Sequence, residues 1–456
     1  MPGGRSVVIR GEARHLPLPD ESVDLVVTSP PYYSLRSYTD RGEFYSSQIG
    51  AEATPQQYIG SLMECTREWA RVLKPSGSIF VNLGDTYCSW QSRRENHDQN
   101  LSGRRKSRGE TLNQRGGPAA WGVPPKSLIG IPQRYMLAVI DEGLTVRADI
   151  IWSKENGVPA SVDDRVRNSH EYIFHIVTER RYFTGIDEIR EPHSDSSYTR
   201  FQPGRAQPGR RPAEIYNGQP GQTLSLEKGL HPAGRLPGSV WEFPVQPLIG
   251  PQCRLVWDGR TVCWFSTWEE GEAYMRMLAR ESWSWAGQTG RPSLRPEAEH
   301  YAAFPFQLPR QIIKGWSPAG ICTECGEGRR PVVTGGRTGD GSKPHKAAQR
   351  VSSFAWAAWK ESTPHVITGY ACACPQPGAP VRPAIVLDPF GGTGTTAMVA
   401  ASLGRTGVSV DYSHSYSRFA RWRTTDSNER AKAMQVKKPP PAPDPRQGAL
   451  FDMEEL

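Results

Sequence analysis

The feature that most constrains the fold is an apolar run that ends in a glycine-dense turn, residues 385–396 (IVLDPFGGTGTT). The apolar run predicts a buried strand, and the apolar residues at 397–403 predict a helix after the turn. Glycines there let the backbone approach a ligand at the carboxyl end of the strand, where open α/β sheets bind nucleotides. A second apolar run ends in Asp411, and such an acid can accept both hydroxyls of a ribose. The segment therefore predicts an α/β fold that binds a nucleotide-like ligand.

Several interpretations of this turn have to be compared. A phosphate-binding P-loop is disfavoured because no Lys-Ser/Thr pair follows the last glycine. A dinucleotide fold fits in part, since Gly392, Gly394 and Asp411 approximate its fingerprint. An S-adenosylmethionine site uses the same strand, turn, helix and ribose acid without a pyrophosphate cradle, and it is the interpretation we favour. A purely structural turn is the remaining possibility.

A second motif, residues 28–32 (TSPPY), follows the buried apolar run 24–27. Its two prolines stiffen the loop, so that main-chain carbonyls and the Ser29 hydroxyl become fixed hydrogen-bond acceptors. The exocyclic amino group of a base is a poor nucleophile because its lone pair is conjugated into the ring. Hydrogen bonds to fixed acceptors draw that nitrogen toward tetrahedral geometry and free the lone pair to attack a sulfonium methyl. Tyr32 would stack on the base, which must leave the duplex to react.

Alone, this second motif could be a proline-stiffened turn, but together with the glycine turn it resembles a known family. The family is that of the N4-cytosine/N6-adenine DNA methyltransferases, in the circularly permuted arrangement in which the catalytic motif precedes the cofactor motif. Further segments that carry the resemblance are Gly11-Glu12-Ala13, Ser22-Val23-Asp24, Leu73-Lys74-Pro75, Trp152-Ser153-Lys154, Asn156, Pro159, Arg167, His170-Glu171, Arg190-Glu191-Pro192 and residues 300–305 (HYAAFP). The resemblance implies a Rossmann-like methyltransferase fold with a mainly parallel, twisted sheet.

The resemblance also implies roles for individual residues. The catalytic residues would be Ser29, Pro30, Pro31 and Tyr32. The residues expected to bind S-adenosylmethionine are Asp388, Phe390, Gly391, Gly392, Thr393, Gly394, Thr395 and Asp411, with Phe304 and Pro305 at its methionine end and Glu12 and Ala13 at its adenine. No cysteine nucleophile is needed, because the methyl group passes directly to the base.

The first residue of the catalytic motif bears on the target base. In the family that this chain resembles, serine at this position is usual in N4-cytosine enzymes and Asp or Asn in N6-adenine enzymes, so Ser29 favours N4 of cytosine. An N6-adenine methyltransferase would use the same residues and stays open. A glutamine or RNA methyltransferase and a non-catalytic DNA-binding module also stay open at this point.

The charge balance favours a nucleic-acid partner. The chain has 55 Lys and Arg against 47 Asp and Glu, a net charge of +8, and an excess of this sign attracts phosphates. Arginine-rich stretches at 91–116 and 200–211 would contact the backbone of double-stranded DNA. No apolar run is long enough for a membrane span or a secretory signal, so we expect a cytoplasmic protein encoded by a prokaryote or phage.

Composition also predicts insertions, because 45 Gly and 40 Pro in 456 residues require long irregular segments. We expect the catalytic half of the core at 1–192, with a basic loop at 91–122, and a target-recognition insertion at 193–298 that contains a hairpin at 253–265. The cofactor-binding half would comprise 299–318 and 381–428. A zinc-ribbon-like insertion is expected at 319–380 and a disordered tail at 429–456.

Four cysteines in the insertion at 319–380 have knuckle-like spacing. Cys322 and Cys325 are followed by glycine, and Cys372 and Cys374 form a second pair. Four thiolates would close a tetrahedral structural zinc site. His365 could replace one ligand, and reduced thiols without metal are the competing interpretation.

The tail suggests a further partner. Gln447, Leu450 and Phe451 match the pattern Gln-x-x-Leu-Phe of peptides that dock on bacterial sliding clamps, although five residues can match by chance. A cognate restriction enzyme is a further expected partner.

Overall fold

The computed structural model describes residues 4–34, 48–88, 122–155, 162–194, 231, 233–245, 305–334, 366–374, 378–425, 427–434 and 436. It also describes the backbone of short segments at 39–40, 43–44, 253–257, 260–265, 274–275 and 293–296. Every structural statement below refers to these residues.

The centre of the fold is an eight-stranded sheet. Its strands, numbered in chain order, are β1 (Arg5–Arg10), β2 (Val23–Thr28), β3 (Leu73–Leu83), β4 (Thr145–Lys154), β5 (His170–Val177), β6 (Val240–Phe243), β7 (Ile385–Asp388) and β8 (Thr406–Asp411). Their order across the sheet is β1-β8-β7-β2-β3-β5-β4-β6. β5 is antiparallel to both of its neighbours, and every other neighbouring pair is parallel. The prediction of a mainly parallel α/β sheet is confirmed.

Helices cover both faces of the sheet. They are α1 (Pro55–Val72), α2 (Ile131–Asp141), α3 (Gln307–Trp316), α4 (Thr395–Ser402), α5 (His414–Thr425) and α6 (Ser427–Met434), with a 3-10 turn at Ile186–Ile189. Buried side chains of α1 and α2 form one core cluster. Those of α3, α4 and α6 form the cluster on the other face. This layering of helix, sheet and helix is what buries both faces of a parallel sheet.

The first helix shows how local sequence positions the framework. Thr54 caps α1 by accepting from the Gln57 amide, while the Gln57 side chain accepts from the Thr54 backbone, and Pro55 occupies the first helical turn. This capping box and the proline satisfy or remove amide donors that the helix start leaves unpaired. Along the helix, Tyr58 and Trp69 are fully buried against the sheet.

The start of β3 is irregular. Residues 74–77 (KPSG) have the composition of a turn, but the strand begins at Leu73 and these residues interrupt its ladder with β2. The reason is an ion pair between Lys74 and the buried Asp24, which holds this segment against the sheet. The other Asp24 oxygen accepts from the Ile385 amide at 2.8 Å.

The inserted segments are partly described. The predicted hairpin is present, because Cys253–Trp257 pairs antiparallel with Arg260–Phe265, and Ser293–Pro296 adds a third strand. In the later insertion, Arg330–Thr334 pairs with Val366–Ala371. The predicted roles of these segments, target recognition and metal binding, remain predictions.

The boundary of the predicted tail was wrong. We expected disorder from residue 429, but α6 continues to Met434 and buries Ala431 and Ala433. The segment from Asn428 to Met434 lacks Pro and Gly, which are confined to the residues that follow, so good helix formers continue the fold here. An ion pair between Arg423 and Glu429 joins α5 to α6.

The two ends of the chain meet at the centre of the sheet. Leu25 and Val26 of β2 pair with Val386 and Leu387 of β7. Just beyond this pairing, the Thr28 hydroxyl donates to the Asp388 carboxylate at 2.8 Å, across 360 positions of sequence. The loops that follow β2 and β7 therefore start side by side at the carboxyl edge of the sheet, which is the juxtaposition that the sequence argument requires.

Asp388 is almost completely buried at this junction. Its two oxygens accept from the hydroxyls of Thr28 and Thr396 and from the Phe390 amide, at 2.7–3.2 Å. Burial, only partly offset by these hydrogen bonds, raises the pKa of Asp388 to about 6. Within the described part of the chain, no helix is both long and apolar enough to cross a membrane.

We expect Asp388→Asn to change the pH dependence of stability. Because the pKa of Asp388 is higher in the folded than in the unfolded chain, its ionisation lowers the free energy of unfolding as pH rises from about 4 to above 6. The neutral amide removes this loss, on the order of 1–3 kcal/mol. In urea unfolding between pH 5 and 8, the free energy of unfolding of the variant should increase relative to that of the wild type as pH rises. Thr28→Val removes a hydrogen-bond donor to the carboxylate, so the pH at which ionisation of Asp388 lowers the stability should move upward. A stability difference between Asp388→Asn and the wild type that does not depend on pH would contradict this explanation.

Candidate functional site

The loop after β2 is held by side chains from the first helix. The Tyr58 hydroxyl of α1 donates to the Pro31 carbonyl at 2.7 Å, and the buried Tyr33 ring packs on Tyr58 with centroids 5.4 Å apart. The Ser34 amide donates to the Gly50 carbonyl at 2.8 Å. The Pro31 carbonyl therefore accepts a hydrogen bond from within the protein, and this bond fixes the position of the proline pair.

Tyr32 is the most constrained side chain of this loop. Its hydroxyl donates to Glu171 of β5, and its oxygen accepts from the Asn82 amide of β3 at 3.0 Å. The ring lies against Gly84, where an added Cβ would sit 2.8 Å from a ring carbon. Burial first, and then the charge of Glu171, raise the pKa of Tyr32 well above its ordinary value. The phenol therefore stays protonated and acts as a hydrogen-bond donor.

Glu171 is the centre of a buried polar network beside the motif loop. One oxygen accepts from Asn82 Nδ2 at 2.7 Å as well as from Tyr32, and the other accepts from Lys154 Nζ of β4. Asn82 Nδ2 also lies 3.4 Å from the Ser29 hydroxyl. The network connects three neighbouring strands to the catalytic motif predicted from sequence.

The Asn82 side chain is buried, and its Oδ1 has no hydrogen-bond partner among the described residues. Reversing the amide would place this oxygen against the Glu171 carboxylate, so the donor side must face the network. An unpaired buried acceptor costs about 1–3 kcal/mol, so the arrangement is not explained by a gain in stability.

Sequence reasoning missed Asn82 and Gly84, and it gave Lys154 and Glu171 no role. A signal for Asn82 was present, because a polar residue ends the apolar run 78–83 at the carboxyl edge of the sheet. The next acid, Asp85, has a structural role: its carboxylate accepts from the Gly130 and Ile131 amides at the start of α2, at 3.0–3.1 Å. An anion in that position stabilises a helix N-terminus.

The glycine turn after β7 lies against β8. The Gly391 amide donates to the Val410 carbonyl at 2.8 Å, and an added Cβ at Gly391 would lie 1.9 Å from Ser409 Oγ. Gly394 has a φ of +77° and begins α4, so the left-handed backbone there favours glycine. The turn is therefore shaped by close contact with the neighbouring strand.

Asp411 lies at the end of β8 and remains partly exposed. One carboxylate oxygen accepts from the Gly392 amide at 2.8 Å and the other from the Ser413 amide at 2.9 Å. The carboxylate therefore lies beside the glycine turn, at the carboxyl edge of the sheet. The Gly11 amide donates to the Asp411 carbonyl at 3.0 Å, which brings the Glu12-Ala13 turn to the same place.

The side chains of three residues predicted to bind cofactor make hydrogen bonds within the turn and its surroundings. The Asp388 carboxylate is buried and filled by its own donors, as described above. The buried Arg423 of α5 donates to the hydroxyls of Thr393 and Thr395, at 2.8 and 2.7 Å. These side chains therefore brace the turn.

The remaining predicted residues fall into two groups. Phe390 packs edge-on against Trp69 with centroids 6.0 Å apart, beside the glycine turn. Pro305 is buried at the start of α3, and the Arg423 guanidinium lies 5.0 Å from the centroid of the adjacent Phe306 ring, so this helix start also reaches the turn. Residues outside the described part of the chain are Phe304, the basic stretches 91–121 and 200–211, His365, and the tail with Gln447, Leu450 and Phe451.

The four cysteines of the later insertion come together. The sulfurs of Cys322, Cys325, Cys372 and Cys374 all lie within 4.8 Å of one another. Gly326 has a φ of +73°, and its amide donates to the Cys322 carbonyl, which forms a tight turn at the first pair. Backbone amides of Cys325 and Glu324 donate to the Cys322 sulfur and lower the pKa of Cys322 to about 6. A thiolate in such a cluster is the form that binds metal.

Comparisons with known proteins agree with this site. Among curated relatives, the type II methyltransferase M.SmaI of Serratia marcescens is 40% identical over 190 residues, which are 41% of this chain and 61% of that protein. M.XycI of Xanthomonas campestris pv. cyanopsidis is 37% identical over 175 residues, which are 38% of this chain and 54% of that protein. The matched part of the chain thus spans little more than half the length of these relatives.

A solved structure titled PvuII DNA methyltransferase (cytosine-N4-specific) aligns with 96% of this chain, and 95% of its own chain is covered, with a TM-score of 0.43 and 14% identity. The family model described as a DNA methylase, for N6 and N4 methyltransferases, matches residues 23–321 and 382–421. These two ranges contain the motif loop, the polar network and the glycine turn, and they make up about three quarters of the chain. The chain therefore belongs to the N6/N4 family of DNA methylases.

Proposed function

We propose that this chain transfers the methyl group of S-adenosylmethionine to the exocyclic N4 amino group of a cytosine in duplex DNA, at a specific sequence. The observation that carries the proposal is the adjacency of two loops, the Ser29–Tyr32 loop after β2 and the glycine turn after β7, at the carboxyl edge of one sheet. A flipped base at the first loop and a methyl donor at the second would be neighbours.

The glycine turn fits S-adenosylmethionine by its donor and acceptor chemistry. The partly exposed Asp411 carboxylate would hold the ribose, the turn at Glu12 and Ala13 would lie at the adenine, and Phe390 would cover the cofactor beside Trp69. Pro305 would approach the methionine end. When bound, the cofactor supplies an electrophilic methyl group whose bond to sulfur breaks with both electrons remaining on sulfur.

Ser29 would bind the amino group of the target base. Its hydroxyl can accept one N–H of that group, and Asn82 Nδ2 lies 3.4 Å from the same oxygen. Fixed acceptors localise the nitrogen lone pair, and the anchored Tyr32 ring would stack on the base. Serine in place of an acid is the reason to prefer cytosine N4. Adenine N6 is the second candidate, since the same groups would serve it.

The target is proposed to be double-stranded DNA, held through the net charge of +8. The curated relatives are named type II methyltransferases, and a cognate restriction enzyme is accordingly the proposed partner of this chain. Docking on a sliding clamp through Gln447, Leu450 and Phe451 is a proposal from sequence alone.

We expect the purified chain to methylate unmodified DNA and to yield N4-methylcytosine on digestion to nucleosides and mass spectrometry. Ser29→Ala should lower the methylation rate on the order of 100-fold, as for the loss of one fixed hydrogen bond to a reacting group. Ser22→Ala, a partly exposed serine on the same half of the core, serves as the matched control. N6-methyladenine alone would identify an adenine enzyme. Intact in vivo function in a Ser29→Ala, Tyr32→Ala double variant would instead indicate a DNA-binding module.

The role of Asp411 has a separate test. Asp411→Asn keeps one acceptor but loses the charge, so affinity for S-adenosylmethionine should fall on the order of tenfold. Isothermal titration calorimetry of the folded variant measures this directly, with Asp141→Asn on the exposed end of α2 as the matched control. Equal affinities in both variants would remove Asp411 from the cofactor site.

The cysteine cluster is proposed to hold one structural zinc ion. Cys322, Cys325, Cys372 and Cys374 supply four sulfurs, which would close a tetrahedral site with no position left for substrate. The ligands come from two segments about 50 residues apart, so the metal would join the two ends of the insertion at 319–380 in the way that structural zinc sites do.

Metal analysis tests the zinc proposal. The purified chain should contain one zinc per molecule, and Cys325→Ser, Cys372→Ser should lose it and lower the thermal midpoint. Cys88→Ser should keep its zinc, because that cysteine is buried elsewhere, beside the Val123 carbonyl. Absence of zinc after purification without chelators, and failure of added zinc to bind, would refute the site.

A further inference from the structure

We infer that Glu171 is the terminal acceptor of the proton that the target amino group must release, and that this proton reaches it through the hydroxyls of Ser29 and Tyr32. The inference rests on the proposed function. Glu171 does not contact the substrate in this scheme. It acts through Tyr32 and is therefore a positioning residue, although it finally receives the proton.

The chemistry demands an acceptor. When the amino nitrogen forms its bond to the methyl group, it carries one proton too many and a positive charge. A nitrogen that was conjugated into an aromatic ring is a strong acid in that state, so a weakly basic carboxylate suffices to take the proton. In a motif that begins with an acid, the motif itself could supply that carboxylate. Here the position is Ser29, and a neutral hydroxyl cannot keep a second proton at neutral pH.

The geometry brings the Ser29 and Tyr32 hydroxyls together beside a carboxylate. Asn82 Nδ2 lies 3.4 Å from Ser29 Oγ and 3.0 Å from the Tyr32 oxygen, so both hydroxyls contact one amide group. The Tyr32 hydroxyl donates to Glu171 Oε2, which is the direction in which a proton would move. The path is short because β5, which carries Glu171, pairs antiparallel with β3 next to β2.

The transfer balances atom by atom. The amino nitrogen gives a proton to Ser29 Oγ, whose own proton passes to the Tyr32 oxygen. The Tyr32 proton in turn passes to Glu171 Oε2. Ser29 and Tyr32 end neutral, as they began, and the only net change in the protein is that the Glu171 carboxylate becomes a carboxylic acid.

Lys154 and Asn82 hold the Glu171 carboxylate in place. Glu171 is only 7% exposed, and burying a carboxylate requires a partner of opposite charge and hydrogen-bond donors. Lys154 Nζ supplies the charge on one oxygen and Asn82 Nδ2 a donor on the other, at 2.7 Å. Tyr32 and Lys154 are the titratable groups that contact Glu171 among the described residues.

The test compares Glu171→Gln with Glu171→Asp in single-turnover methylation of DNA that carries the site methylated by the wild type. The glutamine amide can still accept from Tyr32 but cannot take a proton, so we expect the rate to fall on the order of 100-fold or more. Aspartate keeps the carboxylate and should recover a substantial part of the rate. Glu142→Gln, an exposed glutamate paired with Arg67 outside the network, should leave the rate unchanged.

Two further measurements distinguish proton transfer from structural support. Affinities for S-adenosylmethionine and DNA, and the fluorescence of a base analogue flipped at the target position, should be unchanged in Glu171→Gln. Tyr32→Phe should lower the rate, and adding Glu171→Gln to it should cost little more, because both changes interrupt one path.

Three outcomes would overturn the inference. They are a Glu171→Gln rate within about threefold of wild type, loss of binding or flipping along with the rate, and additive losses in the double variant. Failure of the proposed function is a different result, since the wild type itself would then methylate no cytosine.

Discussion

The pairing of β2 with β7 is the contact on which the rest of the site depends. It brings two loops from opposite ends of the chain to one edge of the sheet, and the buried Thr28 to Asp388 hydrogen bond closes the junction. Asp388 is held there at the expense of its own ionisation, since burial raises its pKa. A carboxylate kept in such surroundings is more consistent with a demand for geometry than with a gain in stability.

Much of the fold and both loops could be predicted because their signals are local. Apolar runs mark the strands, and the glycines after β7 and the prolines after β2 mark turns whose backbone chemistry is specific. The antiparallel course of β5 has no such signal. It depends on which strands become neighbours in space, and the apolar run of β5 reads the same in either direction.

The polar network illustrates what the sequence could not show. Asn82, Lys154 and Glu171 lie 50 to 139 positions from the motif residue that they contact or support, and each alone resembles an ordinary polar residue at a strand end. Conversely, Asp388, Thr393 and Thr395 stand in the most recognisable motif of the chain, yet their side chains support the fold. A motif identifies a segment, whereas only the packing tells which atoms face the ligand.

The long separation between β2 and β7 also has a consequence for biosynthesis. Until residues 385–388 of β7 have left the ribosome, β2 lacks one of its two neighbours, and its fully buried apolar residues have an unpaired edge beside them. Closing a loop of this length makes the final assembly late and slow. A nascent or truncated chain would therefore carry an intact serine motif without the glycine turn beside it, and it would be open to edge-to-edge aggregation. The two loops can meet only after β7 has been synthesised.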